Sequence, residues 1–67
     1  MLSDQDITVF DEYLDRFESS DLSIIKIKDK NYPATVLRKA LQQRIRERGL
    51  TNITAYIFLN ELYLEKT

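Results

Sequence analysis

The side chains best suited to chemistry near neutral pH are missing: the chain has no histidine and no cysteine. That removes the commonest general base, the commonest metal ligand and the strongest nucleophile. Carboxylates, amines, guanidinium groups, hydroxyls and phenols remain. The carboxylates gather in residues 1–21, where Asp4, Asp6, Asp11, Glu12, Asp15, Glu18 and Asp21 stand against Arg16 alone. Such a set would suit paired acid/base work or a hard cation, yet the solvated face of an amphipathic helix needs the same residues, and that is the reading adopted. Ser19 and Ser20 have no base to activate them and read as turn residues. A single glycine, Gly49, excludes glycine-rich phosphate cradles. The expectation is a protein that is not an enzyme, with no metal, no cofactor and no small-molecule substrate.

Recognition chemistry is better represented than catalysis. Residues 22–50 reverse the charge, with Lys26, Lys28, Lys30, Arg38, Lys39, Arg44, Arg46 and Arg48 against Asp29 and Glu47. Arg38, Gln42 and Arg46 lie four apart, with Lys39 and Gln43 beside them, so a helix through them would present cations and amides together to phosphates or to a major groove. The competing reading is a solvated face, partly neutralised by the acidic residues of the first helix. A second set, Tyr56, Phe58 and Tyr63, falls on one side of a hairpin by alternation, with Lys26 and Lys28 alternating onto the same side of an earlier strand. Bases of a single strand would stack on those rings while lysines met phosphates. Three aromatics on an open face equally suit a protein interface, and a third arrangement buries them under the first helix as ordinary core.

The elements that must position these residues follow from period and punctuation. Ser3 and Asp6 form a capping-box-like start, and Ile7, Phe10, Leu14 and Phe17 fall at spacings of 3, 4 and 3, which predicts a helix over residues 4–19. Leu22 to Lys28 is rich in β-branched residues and alternates, a strand. Pro33 opens a second helix that buries Leu37, Ala40, Leu41 and Ile45, runs to Arg48 and is capped by Gly49. Ile53 to Leu59 and Leu62 to Lys66 read as a hairpin about Asn60, with either Phe58 opposite Glu61 or Leu59 opposite Leu62. The run from Ile53 to Leu59 has neither charge nor proline, so its edge should be paired or covered, by a second copy or by a partner's strand.

Together these give a single α+β domain over residues 1–67, a two-layer α-β-α-β-β arrangement with two helices packed on one face of a three-stranded sheet. The third strand would lie either outside the second or between the first and second. The second helix followed by a hairpin resembles the recognition helix and wing of winged-helix DNA-binding domains over about half the chain; that family places a further helix after the first strand, and residues 29–32 leave no room for one. Sixty-seven residues are near the lower limit for a core without staples. The lack of cysteine and of a basic start or long apolar run suggests a cytoplasmic chain, neither secreted nor membrane-embedded. The functional expectation is a small protein-binding or regulatory module that forms a homodimer or binds a partner protein through Tyr56, Phe58 and Tyr63 or the hairpin edge. The alternative is nucleic-acid binding through Lys26, Lys28, Arg38, Lys39, Gln42 and Arg46.

Overall fold

The computed structural model describes residues 3–67, in the order α1 (Asp4–Ser19), β1 (Ile24–Ile27), α2 (Ala34–Glu47), β2 (Ile53–Phe58) and β3 (Glu61–Lys66). The capping box forms as the sequence predicts: the Asp6 amide donates to Ser3 Oγ at 3.2 Å and the Ser3 amide to Asp6 Oδ2 at 3.3 Å. Two amides at the start of α1 that lack helical partners are thereby satisfied. The inward stripe of α1 is Phe10, Leu14 and Phe17, all essentially inaccessible, while Ile7, expected on the same stripe, is only half-buried near the start of the helix.

Pro33 occupies the N-cap of α2 rather than its first helical position, with no side chain capping the exposed amides. The other end is tightly closed. Gly49 adopts φ +67°, its amide donates to the Arg46 carbonyl, and the Leu50 amide donates to the Ile45 carbonyl at 2.9 Å. This is a Schellman closure, which only glycine enters without steric cost. A further turn at Thr51 and Asn52, closed by the Ile53 amide on the Leu50 carbonyl, then leads into β2.

The sheet has the order β1-β3-β2 and is antiparallel throughout. The third strand therefore lies between the other two. Phe58 opposes Glu61, and Leu59 and Asn60 form the two-residue turn with φ of 51° and 65°. Positive φ at both positions is the type I′ geometry that matches the twist of paired strands. No helix intervenes between β1 and α2, so the further helix of the winged-helix pattern has no counterpart here. Two expected boundaries shift: β1 covers Ile24–Ile27 rather than residues 22–28, and Lys28 lies past its end. Lys28 is thus not on the pleated surface; the chain leaves β1 for the turn at Asp29, whose carboxylate accepts the Asn31 amide at 2.8 Å.

Both helices lie against the face that presents Ile27, Ile53, Ala55, Leu62 and Leu64. These join Phe10, Leu14, Phe17, Leu37, Ala40, Leu41 and Ile45 in one buried cluster that contains no polar or charged residue. Lys66 faces the same layer but reaches its rim, where Nζ donates to the Ser20 carbonyl at 2.8 Å above the Phe17 ring. A cation there closes the C-terminal end of α1, where the helix dipole favours positive charge.

Two substitutions separate packing from backbone conformation. Leu64→Ala, at the centre of the middle strand, should cost about 3 kcal/mol, whereas Gly49→Ala should cost about 1 kcal/mol through strain at positive φ, since a Cβ there meets open space. Urea unfolding of the two variants checks both figures, and the reverse ranking would contradict the packing described.

Candidate functional site

The face of the sheet turned away from the helices is built by strict alternation. Ile24 and Lys26 come from β1, Thr54, Tyr56 and Phe58 from β2, and Glu61, Tyr63 and Glu65 from β3. No helix among the described residues covers it, and none of the three aromatics is among the buried core residues. Tyr56 and Tyr63 stand directly opposite each other and stack, with ring centroids 5.7 Å apart and planes 24° from parallel. Phe58 is 59% exposed at the end of the hairpin, next to Leu59 at 78%. Ile24, 45% exposed, stands at the other end of the face in line with Glu65 and Thr54, and Leu22 lies just before that strand.

The charges on this face differ from what the lysine spacing suggested. Lys26 Nζ lies 3.5 Å from Glu61 Oε2, which also accepts the Tyr63 hydroxyl at 3.2 Å. Glu65 lies close enough to Tyr56 to help raise that phenol above its ordinary range, after partial desolvation as the larger cause. The face therefore carries two carboxylates against one lysine already paired, with Lys28 absent from it. Period-two counting along β3 places Glu61 and Glu65 beside Tyr63; the aromatic and lysine pattern alone draws attention away from them.

The basic residues of α2 divide into two sets. Arg44 and Arg48, four apart, turn toward α1. Arg44 Nε and Nη2 meet the two oxygens of Asp11 at 2.9 and 3.2 Å, and the hydrogen bond to Asp11 is the main reason its pKa rises above the usual arginine value. Arg48 Nη2 meets Asp15 at 2.7 Å and Glu18 at 3.5 Å. The acidic stripe of α1 is in this way joined to the second helix by a forked pair and a small network. Among the described residues, no three carboxylates converge as a cation site. Arg38, Lys39 and Arg46 lie on the outer side, exposed, with no ion pair among the described residues. Gln42 does not project with them into solvent: its Oε1 accepts the Ala55 amide at 3.3 Å, which ties α2 to the outer edge of β2. Nothing in a single sequence marks a glutamine as an edge cap.

Two tyrosine–aspartate pairs sit apart from both surfaces. Tyr13 donates to Asp29 Oδ2 at 2.5 Å, and Tyr32, whose ring meets Phe10 edge-on at 5.1 Å, donates to Asp6. Burial, reinforced by the bond to Asp29, pushes the Tyr13 phenol up to about 12, while the Tyr13 hydroxyl holds Asp29 below the usual carboxylate range. At neutral pH the carboxylate is charged and the phenol protonated, so each pair is a static tie between α1 and the β1–α2 loop. An acid or base poised for turnover needs the opposite displacement. No family model, no curated protein and no solved structure matches the chain. No helix among the described residues is long and apolar enough to cross a membrane.

The Tyr13–Asp29 bond predicts a pH signature with two limbs. Because the folded Tyr13 pKa exceeds its unfolded value near 10, the stabilisation is complete below about pH 10 and lost as pH rises through about 12. Because the folded Asp29 pKa is depressed, its share is present above about pH 4 and is lost as pH falls through the folded value. Tyr13→Phe should flatten both limbs in thermal melts across pH; an unchanged alkaline limb would show that the bond contributes nothing.

Proposed function

We propose that this chain is a non-enzymatic interaction module of the cytoplasm whose open sheet face binds a second copy of itself. The observation that carries the reading is the combination of stacked Tyr56 and Tyr63 with exposed Phe58 and Ile24 on a face that no helix among the described residues covers, with Leu59 exposed in the adjoining turn. Exposed aromatic surface of this kind, rimmed by polar residues, characteristically marks an interface. The molecule measures 29 × 27 × 16 Å, the short dimension matching two layers of secondary structure. The open face spans three strands of at most six residues, about 20 Å long, so it would form the centre of an interface rather than the whole of a standard one. Tyrosine and phenylalanine are the residues enriched at the centres of such contacts, because they bury large area while losing few rotamers.

The charge pattern favours protein over nucleic acid at this face. Glu61 and Glu65 flank the rings that bases would stack on, and Lys26 is held by Glu61. A nucleic-acid reading retains Arg38, Lys39 and Arg46 on α2, where three exposed cations lie along one helix. Its strength would fall steeply with salt and would not depend on Phe58.

The self-association reading predicts a dimer in sedimentation equilibrium at about 50 µM. Phe58→Ser, outside the core, should give a monomer with unchanged circular dichroism. A wild-type chain that sediments as a monomer at that concentration overturns the reading.

A further inference from the structure

We infer that the outer edge of β2, beneath the basic flank of α2, is a docking site for an acidic peptide that adds to the sheet as a fourth strand. The argument begins with the hydrogen-bond phase of the hairpin. In a two-residue hairpin the residues that flank the turn exchange both backbone bonds, so Phe58, Tyr56 and Thr54 direct their amide and carbonyl groups to β3. Ile53, Ala55 and Ile57 must then direct theirs outward. Two of the outward amides are already satisfied: that of Ile53 by the Leu50 carbonyl at 3.4 Å and that of Ala55 by Gln42. The Ile57 amide, the Ile57 carbonyl and the Ala55 carbonyl have no protein partner among the described residues.

The two Ile57 groups border a groove lined by Thr35, Arg38, Lys39, Tyr56 and Ile57, with a volume of about 530 Å³, and Ala55 lies two residues back along the same strand. Arg38 and Lys39 also border the adjoining hollow that contains Gln42, Arg46 and Glu47, the last paired with Arg44, so a strip of net positive charge runs beside the unpaired backbone. Arg38 and Arg46 are eight helical residues apart, about 12 Å along the axis. Same-side residues four apart in an extended strand span about 13 Å. An extended peptide with acidic residues on alternate positions therefore meets both ends of the strip while its backbone pairs with both Ile57 groups and the Ala55 carbonyl.

Charge and hydrogen-bond chemistry select this occupant. A nucleic-acid backbone would bring phosphate oxygens toward two outward carbonyls that need donors, whereas a peptide supplies amides and carbonyls in the alternation the edge requires. Antiparallel pairing of β2 with β2 of a second copy would set two cationic strips along one seam, and like charges so placed oppose association. The site shares Tyr56 with the open face proposed for self-association but neither Phe58 nor Tyr63, so a change at Phe58 distinguishes the two.

The experiment is fluorescence anisotropy with a labelled ten-residue peptide of alternating Glu and Val, repeated with a Lys/Val peptide and with an oligothymidylate. Wild-type protein should bind the Glu/Val peptide with a dissociation constant near or below about 100 µM, weaken as salt rises and ignore the Lys/Val peptide. Arg38→Glu with Lys39→Glu should weaken it at least about tenfold. Ile57→Pro removes an edge amide that faces solvent, a place where strands tolerate proline, and should abolish binding. Should that variant fail to fold, the Glu/Val peptide N-methylated on the residues that face Ile57 gives the same test on the wild-type chain and should not bind. Phe58→Ser should bind the peptide unchanged even as it loses the dimer, which separates the two proposals. Equal binding of the N-methylated peptide, no binding of the Glu/Val peptide at about 1 mM, or tighter binding of the oligothymidylate would overturn the inference.

Discussion

Two helices are enough to cover one face of a three-stranded sheet, and the organisation of this molecule follows from that limit. Every fully buried large side chain lies between the helix layer and the inward sheet face: Phe10, Leu14, Phe17, Leu37, Leu41, Leu62 and Leu64. A domain this small buries a low fraction of the surface its unfolded chain exposes, so the core cannot spare residues for a second layer. The outward face nonetheless carries Ile24, Tyr56, Phe58 and Tyr63 among the polar residues Lys26, Thr54, Glu61 and Glu65 that a half-wet sheet usually displays. Apolar area placed there gives little to the isolated fold. Its value would lie in association, where burial of the same side chains contributes to an interface.

Helical periodicity does for charge what strand alternation does for the aromatics. Arg44 and Arg48 fall on the flank of α2 that meets α1, where Asp11, Asp15 and Glu18 engage them. Arg38, Gln42 and Arg46 fall on the other flank, above β2. A chain of net charge −1 thus keeps a concentrated positive strip, because its acids are largely committed to the far helix. Gln42 shows how closely that flank approaches the sheet edge, since it replaces one hydrogen bond that a further strand would otherwise make.

Local chemistry could be read from the residues with little ambiguity. The capping box at Ser3 and Asp6, the glycine closure at Gly49 and the inward stripe of each helix depend on neighbours within one or two turns. The two sheet faces followed from alternation for the same reason. Strand order did not, because β3 inserted between β1 and β2 and β3 at the outside bury the same residues; long-range pairing decides between them. Lys28 was misplaced because alternation has no marker for where pairing stops. Gln42 was misassigned because its position on the helix fits solvent or sheet edge equally well, and only the proximity of Ala55 distinguishes them. The Lys26–Glu61 pair required the register of β1 on β3.

The uncovered aromatic face is the claim on which the functional account rests, and filtered NMR on a mixture of isotope-labelled and unlabelled chains tests it most directly. The account predicts intermolecular nuclear Overhauser effects from the rings of Phe58, Tyr56 and Tyr63 and from the Ile24 methyls, with none from Phe10 or Leu14. Intermolecular contacts confined to α1 or α2, or their complete absence at millimolar protein, would contradict it.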